Sequence, residues 1–400
     1  MVKGKNFVGQ PILSQVLNCI PKSIIRAAVN KHQADRYYKK IPTHTHLTSL
    51  LYGVLSGCSG LREICEGMLA CEGRLGHLGL EKAPPRSTFS DANNNRSYLV
   101  FESIYYKLVQ QYLSFISDSR LKGLSIRNLK IIDSTTIRLF SDILKGVGRN
   151  PLDGAKKKGG FKVHAMMDAF SGIVEFVRMT EAKVHDRKFL RGLNLKPNSW
   201  IVFDKAYNVY QHYAKWSSQQ VWFVTRMKEN AVYHVTKVLL DNTKKKNPSG
   251  VLKVQLVTIG YKSTTGNMER LKLRRIEYKT EEGKILVFIT NNHTIQPKQI
   301  AVIYKTRWMI ELLFKQFKQN FPLKYFWGAS ENAIKTQVYS VLIAQLLMVV
   351  IRKTSETKKS FSNMITVIRL HLTSYVNINE FMKDTYQAWR LRNAPELFSP

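Results

Sequence analysis

The sequence predicts an α+β multidomain protein: a helical N-terminal domain, then a mixed sheet of order βββαβαβ with helices, interrupted by an all-β insertion. Three observations predict it. Apolar residues recur at helical spacing up to about residue 115, strand-like β-branched runs begin near Asn128, and helical spacing returns after Thr290. A chain of 400 residues is long enough for two or three packed units. The expected boundaries are a helical domain over 1–120, a core in two parts over 121–231 and 286–355, the insertion over 232–285, and a helical C-terminal segment over 356–400.

In the first domain, Thr43 is the expected cap of a helix whose Leu47, Leu50, Leu51, Val54 and Leu55 share one face. Gly57-Cys58-Ser59-Gly60 ends it, and Leu61-Arg62-Glu63-Ile64 starts another. The pair has the outline of a helix-turn-helix, an outline that any helical hairpin shares. After Pro84-Pro85, Arg86-Ser87-Thr88-Phe89 opens a helix expected to reach about Phe115. Cys19, Cys58, Cys65 and Cys71 form no C-x-x-C pair and have no His pair at finger spacing nearby, so they read as reduced thiols. Lys3 and Lys5 are followed by neither an apolar stretch nor a cleavage site, so no secretory signal is expected.

The core opens with the strand Leu129–Leu139, which contains Asp133. A Gly/Lys-rich loop over 146–160 leads to Phe161–Asp168 and then Ile173–Arg178, three strands expected to form an antiparallel meander. A short helix near Asp186–Leu193, the strand Trp200–Asp204, a helix and the strand Val221–Thr225 follow, so the first and fourth strands can lie side by side. In the insertion, Val251–Val257 and Leu271–Tyr278 alternate apolar and polar residues, with turns at 247–250, 265–267 and 281–283. The strand Leu286–Thr290 returns to the core. The apolar run Val341–Ile351 is interrupted by Gln345 and is shorter than the ~20 residues that span a bilayer, so it reads as a buried helix.

Charge narrows the function. With 62 Lys+Arg against 28 Asp+Glu, the net charge is +34, and self-repulsion on that scale points to a polyanionic partner. A nucleic acid fits, because each neutralised phosphate releases counterions. The cations are scattered rather than gathered in one basic amphipathic helix, and no membrane partner is expected.

After Pro297, Tyr304, Arg307, Glu311 and Lys318 are spaced three, four and seven apart and share a helical arc of roughly 60°. Beside them runs an apolar stripe of Ile303, Ile310, Phe314, Phe317 and Phe321. Taken alone, the pair Arg307–Glu311 is equally an intrahelical salt bridge worth ~0.3–0.5 kcal/mol. Asp133 and Asp204, on the first and fourth strands, shift that balance: with Glu311 they make three convergent carboxylates. Buried acids of that kind need a hard cation, and an all-oxygen donor set favours two Mg²⁺ or Mn²⁺ ions over zinc. His164 and His185 lie near this core and read as structural.

These motifs resemble the DDE insertion-sequence transposases, in the branch with an RNase H-like catalytic core, a β-strand insertion and a Tyr-Arg-Glu-Lys signature. Tyr304, Arg307, Glu311 and Lys318 match that signature, Asp133 in Ile132-Asp133-Ser134-Thr135 resembles the first acid, and Asp204 in Asp204-Lys205-Ala206-Tyr207 the second. The segment Arg86–Asn93 is similar to the helical N-terminal domain of such enzymes. The resemblance implies metal-dependent cleavage and strand transfer of DNA at terminal inverted repeats, catalysed by Asp133, Asp204 and Glu311, in the cytoplasm at the nucleoid. It also implies a homodimer in the paired-end complex, with Tyr304, Arg307 and Lys318 holding phosphates. Lys205 and Ala206 stand where the family has Arg and Gly, so Lys205 is a candidate DNA contact without the bidentate geometry of arginine. Trp222 and Phe288 are candidates for stacking a flipped base. The main alternative is an inactive or domesticated DNA-binding protein derived from a transposase; a second is an RNase H-like nuclease that only hydrolyses DNA.

Overall fold

The computed structural model describes residues 9–116, 124–138, 160–182, 184–190, 192–244, 249–386 and 388. Most of the Gly/Lys-rich loop expected over 146–160 and the extreme N-terminus lie outside them. In chain order the helices are α1 (Ile12–Leu17), α2 (Lys22–His32), α3 (Thr43–Ser56), α4 (Leu61–Leu69), α5 (Arg86–Asn95) and α6 (Leu99–Ile116). The strands β1 (Leu129–Arg138), β2 (Gly160–Asp168), β3 (Val174–Glu181) and β4 (Trp200–Phe203) follow, then α7 (Tyr210–Ser218) and β5 (Trp222–Arg226). Next come β6 (His234–Asp241), β7 (Val251–Lys262), β8 (Met268–Lys279) and β9 (Ile285–Thr290). The chain ends in α8 (Pro297–Lys305), α9 (Trp308–Asn320), α10 (Glu331–Thr354), α11 (Phe361–Leu370) and α12 (Ile378–Lys383). It divides into two compact units: one of Met1–Ser117, Ile137–Gly160 and Phe314–Pro400, the other of Asp118–Thr136 and Phe161–Leu313.

Apart from the strand ends Ile137, Arg138 and Gly160, the regular elements of the first unit are helices among its described residues. α10 packs on α3, α5 and α6, and its apolar run from Val341 to Ile351 is buried apart from Val349, so a helix long enough to cross a membrane serves here as a core element. The expected cap of α3 is corrected. Pro42 puts Thr43 inside the first turn, and Asp35 caps from outside: its Oδ1 accepts from Thr43 N–H and Oγ1, each at 2.7 Å. The single helix expected from Arg86 to Phe115 is also two. Arg96 leaves the helical conformation and buries its guanidinium, donating to Ala34 O at 3.2 Å and Ile41 O at 2.6 Å. It also meets Asp35 and His46 Nδ1, so one side chain ties three segments together.

The second unit is one nine-stranded mixed sheet of order β3-β2-β1-β4-β5-β9-β8-β7-β6. β1, β4 and β5 run parallel; β2 with β3, and the run from β5 through β9, β8 and β7 to β6, pair antiparallel. The first and fourth strands are therefore neighbours, as their order predicts. The strands of the 232–285 segment continue the same sheet, because β9 bridges β5 and β8. Phe203, Tyr213, Trp216 and Phe223 pack with Ile201 and Ile289 in a core that includes Val257 and Leu273 of the added strands. Two expected helices differ. The segment after Glu181 is a single 3₁₀ turn, Asp186–Leu190, with Gly192 at φ 93° beyond it. The helix carrying Tyr304 and Glu311 breaks at Thr306, whose Oγ1 donates to Ile303 O at 2.6 Å in place of a continuing ladder.

Candidate functional site

β1 and β4 bring two carboxylates together. Ile132 pairs with Phe203 in the parallel register, so Asp133 and Asp204 follow on adjacent strands where β4 ends. The carboxyl ends of parallel strands are where open mixed sheets gather their functional groups. Asp133 Oδ1 accepts the Ser134 N–H at 2.8 Å, and Asp204 Oδ1 accepts the Ala206 N–H at 3.1 Å, capping the 3₁₀ turn Lys205–Tyr207. Each acid is thus oriented by its own backbone.

The third acid arrives from the α8–α9 junction. At the break the backbone turns tightly, with Arg307 N–H on Tyr304 O at 3.1 Å and Met309 N–H on Thr306 O at 2.9 Å. Arg307 then reaches both ways: its Nη1 lies 3.2 Å from Asp133 Oδ2 and 2.5 Å from Glu311 Oε1. Arg226, at the end of β5, places Nη2 3.2 Å from Asp204 Oδ2. The two guanidinium carbons lie 5.8 Å (Arg307) and 5.9 Å (Arg226) from the ring of buried Tyr304, within cation–π range. All three carboxylates are therefore ion-paired, by two arginines that share one aromatic ring, and every one of these residues belongs to the second unit.

The electrostatics follow from burial. Burial pushes the Asp133 pKa up to about 6; the Ser134 N–H and Arg307 oppose this, while Glu311 and Asp204 add to it by repulsion. Burial works against the Arg307 charge, but the hydrogen bond to Glu311 and the nearby Tyr304, Glu311 and Asp133 raise its pKa overall. Burial likewise raises Tyr304.

Would these side chains suit a divalent cation? The donors are all carboxylate oxygens, and a cationic guanidinium already stands between Asp133 and Glu311. Among the described residues, no three His, Cys, Asp or Glu side chains are grouped as a ready metal site. The carboxylate oxygens suit a hard cation by their chemistry, and each of these acids is paired with an arginine guanidinium.

The other expected site residues fall differently. Lys205 is half-buried and pairs with exposed Glu229 at 3.2 Å. Lys318 lies on α9 seven residues after Glu311, exposed to solvent. Phe288 is sealed in the core with its ring 5.0 Å from Tyr304, which removes it as a base-stacking platform, and half-buried Trp222 packs on Trp200. His164 is buried and its pKa is pushed down to about 4 by that burial, consistent with a structural role; His185 is exposed. Arg226 was not anticipated. It stands 22 residues after Asp204 (226 − 204), and only the pairing of β4 with β5 brings the two together.

By fold and site, then, this is an α+β protein whose mixed sheet presents two carboxylates side by side and whose adjoining helix adds a third, each acid held by arginine. Residues 125–347 match the family described as the transposase DDE domain, and the chain belongs to that family. Residues 8–81 match a family described only as a domain of unknown function (DUF4372). The chain is 29% identical over 270 residues to the protein named "Putative transposase y4zB" of Sinorhizobium fredii, covering 66% of this chain and 71% of that one. It is 28% identical over 224 residues to the "Probable transposase for insertion sequence element IS5377" of Geobacillus stearothermophilus, covering 55% of each. It is also similar to the transposase for insertion sequence element IS231F of Bacillus thuringiensis, at 21% identity over 306 residues, 64% of this chain and 63% of that one.

Proposed function

We propose that the protein is a transposase that cleaves double-stranded DNA at the terminal inverted repeats of its own insertion sequence and transfers the freed strands to a target. The observation that carries this reading is the placement of Asp133 beside Asp204 on parallel strands, with Glu311 joined to Asp133 through Arg307. The run β1 to β5 supports an RNase H-like reading of the core, with β6–β8 as its insertion. The helical N-terminal region, α3 and α4 included, would serve end recognition.

Asp133, Asp204 and Glu311 would hold Mg²⁺ or Mn²⁺, two ions in all. When bound, the ions supply activation of the attacking oxygen and stabilisation of the leaving oxygen in phosphoryl transfer. The chain's own residues do the rest. DNA phosphates offer Arg307 and Arg226 an alternative partner, and an arginine that turns to a phosphate releases the carboxylate it now neutralises. Tyr304 gives both arginines a common ring to pivot on. Lys318 and Lys205 add positive charge for the DNA backbone. The complex would be a homodimer pairing two ends, acting in the cytoplasm at the nucleoid.

The test is a plasmid carrying this coding frame with its flanking DNA, incubated with the full chain and Mg²⁺ or Mn²⁺. Breaks should appear at the inverted repeats. End binding without breaks in either ion would favour a domesticated DNA-binding protein.

A further inference from the structure

Next to Asp133, a second polar network converges on its neighbour, Ser134. The Ser134 hydroxyl donates to Asp186 Oδ1 at 2.9 Å. That same oxygen lies 3.1 Å from Lys162 Nζ and 3.6 Å from His164 Nδ1, both on β2. Lys162 also donates to Val184 O at 3.2 Å, and His164 Nε2 meets Thr180 Oγ1 on β3 at 3.1 Å. Asp186 is thus tied to β1 and β2 directly, and to β3 through His164.

The turn that carries Asp186 is fixed from below. Phe189 and Leu190 are buried in the main core of the unit, and Phe189 stacks on His164 with ring centroids 5.2 Å apart and planes 13° apart. Burial raises the pKa of Tyr207, and the charges of Asp186, Asp133 and Asp204 add to that rise. Nothing in the proposed chemistry uses Asp186, Lys162 or His164. Toward Asp133 the network reaches through the Ser134 hydroxyl, and the Ser134 N–H is the group that orients Asp133 Oδ1.

We infer that Asp186 is a positioning residue: through the Ser134 hydroxyl it fixes β1 at the point where the Ser134 N–H aims the Asp133 carboxylate at the bound cation. This rests on the reading of Asp133 as a holder of Mg²⁺ or Mn²⁺. Hydrogen-bond partners behind a metal ligand hold it in one orientation, and losing one commonly costs 10–100-fold in affinity. Asp186 does so at one remove, through a backbone amide.

The experiment titrates Mn²⁺ into the full chain and follows free Mn²⁺ by electron paramagnetic resonance, with the melting temperature and end-DNA binding measured alongside. Asp186→Ala and Ser134→Ala should each weaken Mn²⁺ binding about 10-fold or more, with end binding unchanged. Because they break one relay, the double variant should lose little beyond either single one. Asp186→Glu, which keeps an acceptor for Ser134, should recover part of the loss. Additive losses, or a loss in Asp186→Ala without one in Ser134→Ala, would overturn the relay. If Asp186→Ala does not fold, Ser134→Ala, which removes a single oxygen, decides alone: wild-type Mn²⁺ affinity there rejects the proposal. Asp133→Ala separates the two levels. If it binds Mn²⁺ as the wild type does, the reading of Asp133 itself fails; if it loses Mn²⁺ while both relay variants keep it, only the positioning role fails.

Discussion

Arg307 and Asp133, 174 residues apart in the chain, meet at 3.2 Å, and the same guanidinium nitrogen holds Glu311. A single cation therefore stands between two acids contributed by a strand and a helix. Removing it by Arg307→Ala leaves two partly buried carboxylates facing each other, at a cost on the order of 2 kcal/mol. The variant should melt below the wild type without divalent ions and regain stability as Mn²⁺ is added, more steeply than the wild type does. Melting curves with and without Mn²⁺ check this; a variant indifferent to Mn²⁺ would argue that the acids hold no metal.

The Asp133 pKa, raised to about 6 by burial, sets a pH dependence for the metal-free protein. The shift is upward, so between about pH 4 and 6 the folded state keeps a proton that the unfolded chain has released. Stability from this group therefore falls as pH rises through that window, and at neutral pH the ionised carboxylate is a net cost. Asp133→Asn should match the wild type near pH 4 and exceed it at pH 7 by about 1–3 kcal/mol. Denaturant midpoints across pH 4–7 measure the difference, and a pH-independent gap would contradict the shift.

Arg307 and Lys318 are expected to share the work of gripping phosphates. In Arg307→Ala/Lys318→Ala, two fewer phosphate contacts should flatten the plot of log K against log salt by about 2. Protection of the inner repeat should survive, because other parts of the protein would read that sequence. Footprinting and a salt series test both points, and a wild-type slope would reduce these residues to a salt-bridge ladder.

Much of this arrangement was legible in the sequence, for identifiable reasons. β1 is rich in β-branched residues and β4 and β5 are short and largely apolar, none with a helical period, and Asp133 and Asp204 stand out as acids within a strand or at its end. Tyr304, Arg307 and Glu311 were legible because one helical turn brings such spacings together, and Arg307 still meets Glu311 four residues on. The break at Thr306 was not legible: it depends on a hydroxyl returning to the backbone, which spacing does not reveal. The break at Arg96 escaped for a similar reason, since its cause is a set of partners at 34, 35, 41 and 46. Arg226, Asp186 and Lys162 were missed because only strand pairing and a 3₁₀ turn bring them to the acids. Residues that touch across a sheet leave no periodic trace in the chain.

The central claim is that Asp133, Asp204 and Glu311 together make the cutting site, and Asp204→Ala tests it most directly. Asp204 sits at the end of β4, so its loss leaves the link from Asp133 through Arg307 to Glu311 in place. The measurement is strand cleavage of DNA carrying the terminal repeats, in Mg²⁺ and in Mn²⁺, with end binding followed on the same samples. Asp204→Ala should bind the ends as the wild type does and cut neither strand. Cleavage at the wild-type rate by this variant would remove Asp204 from the site and contradict the account.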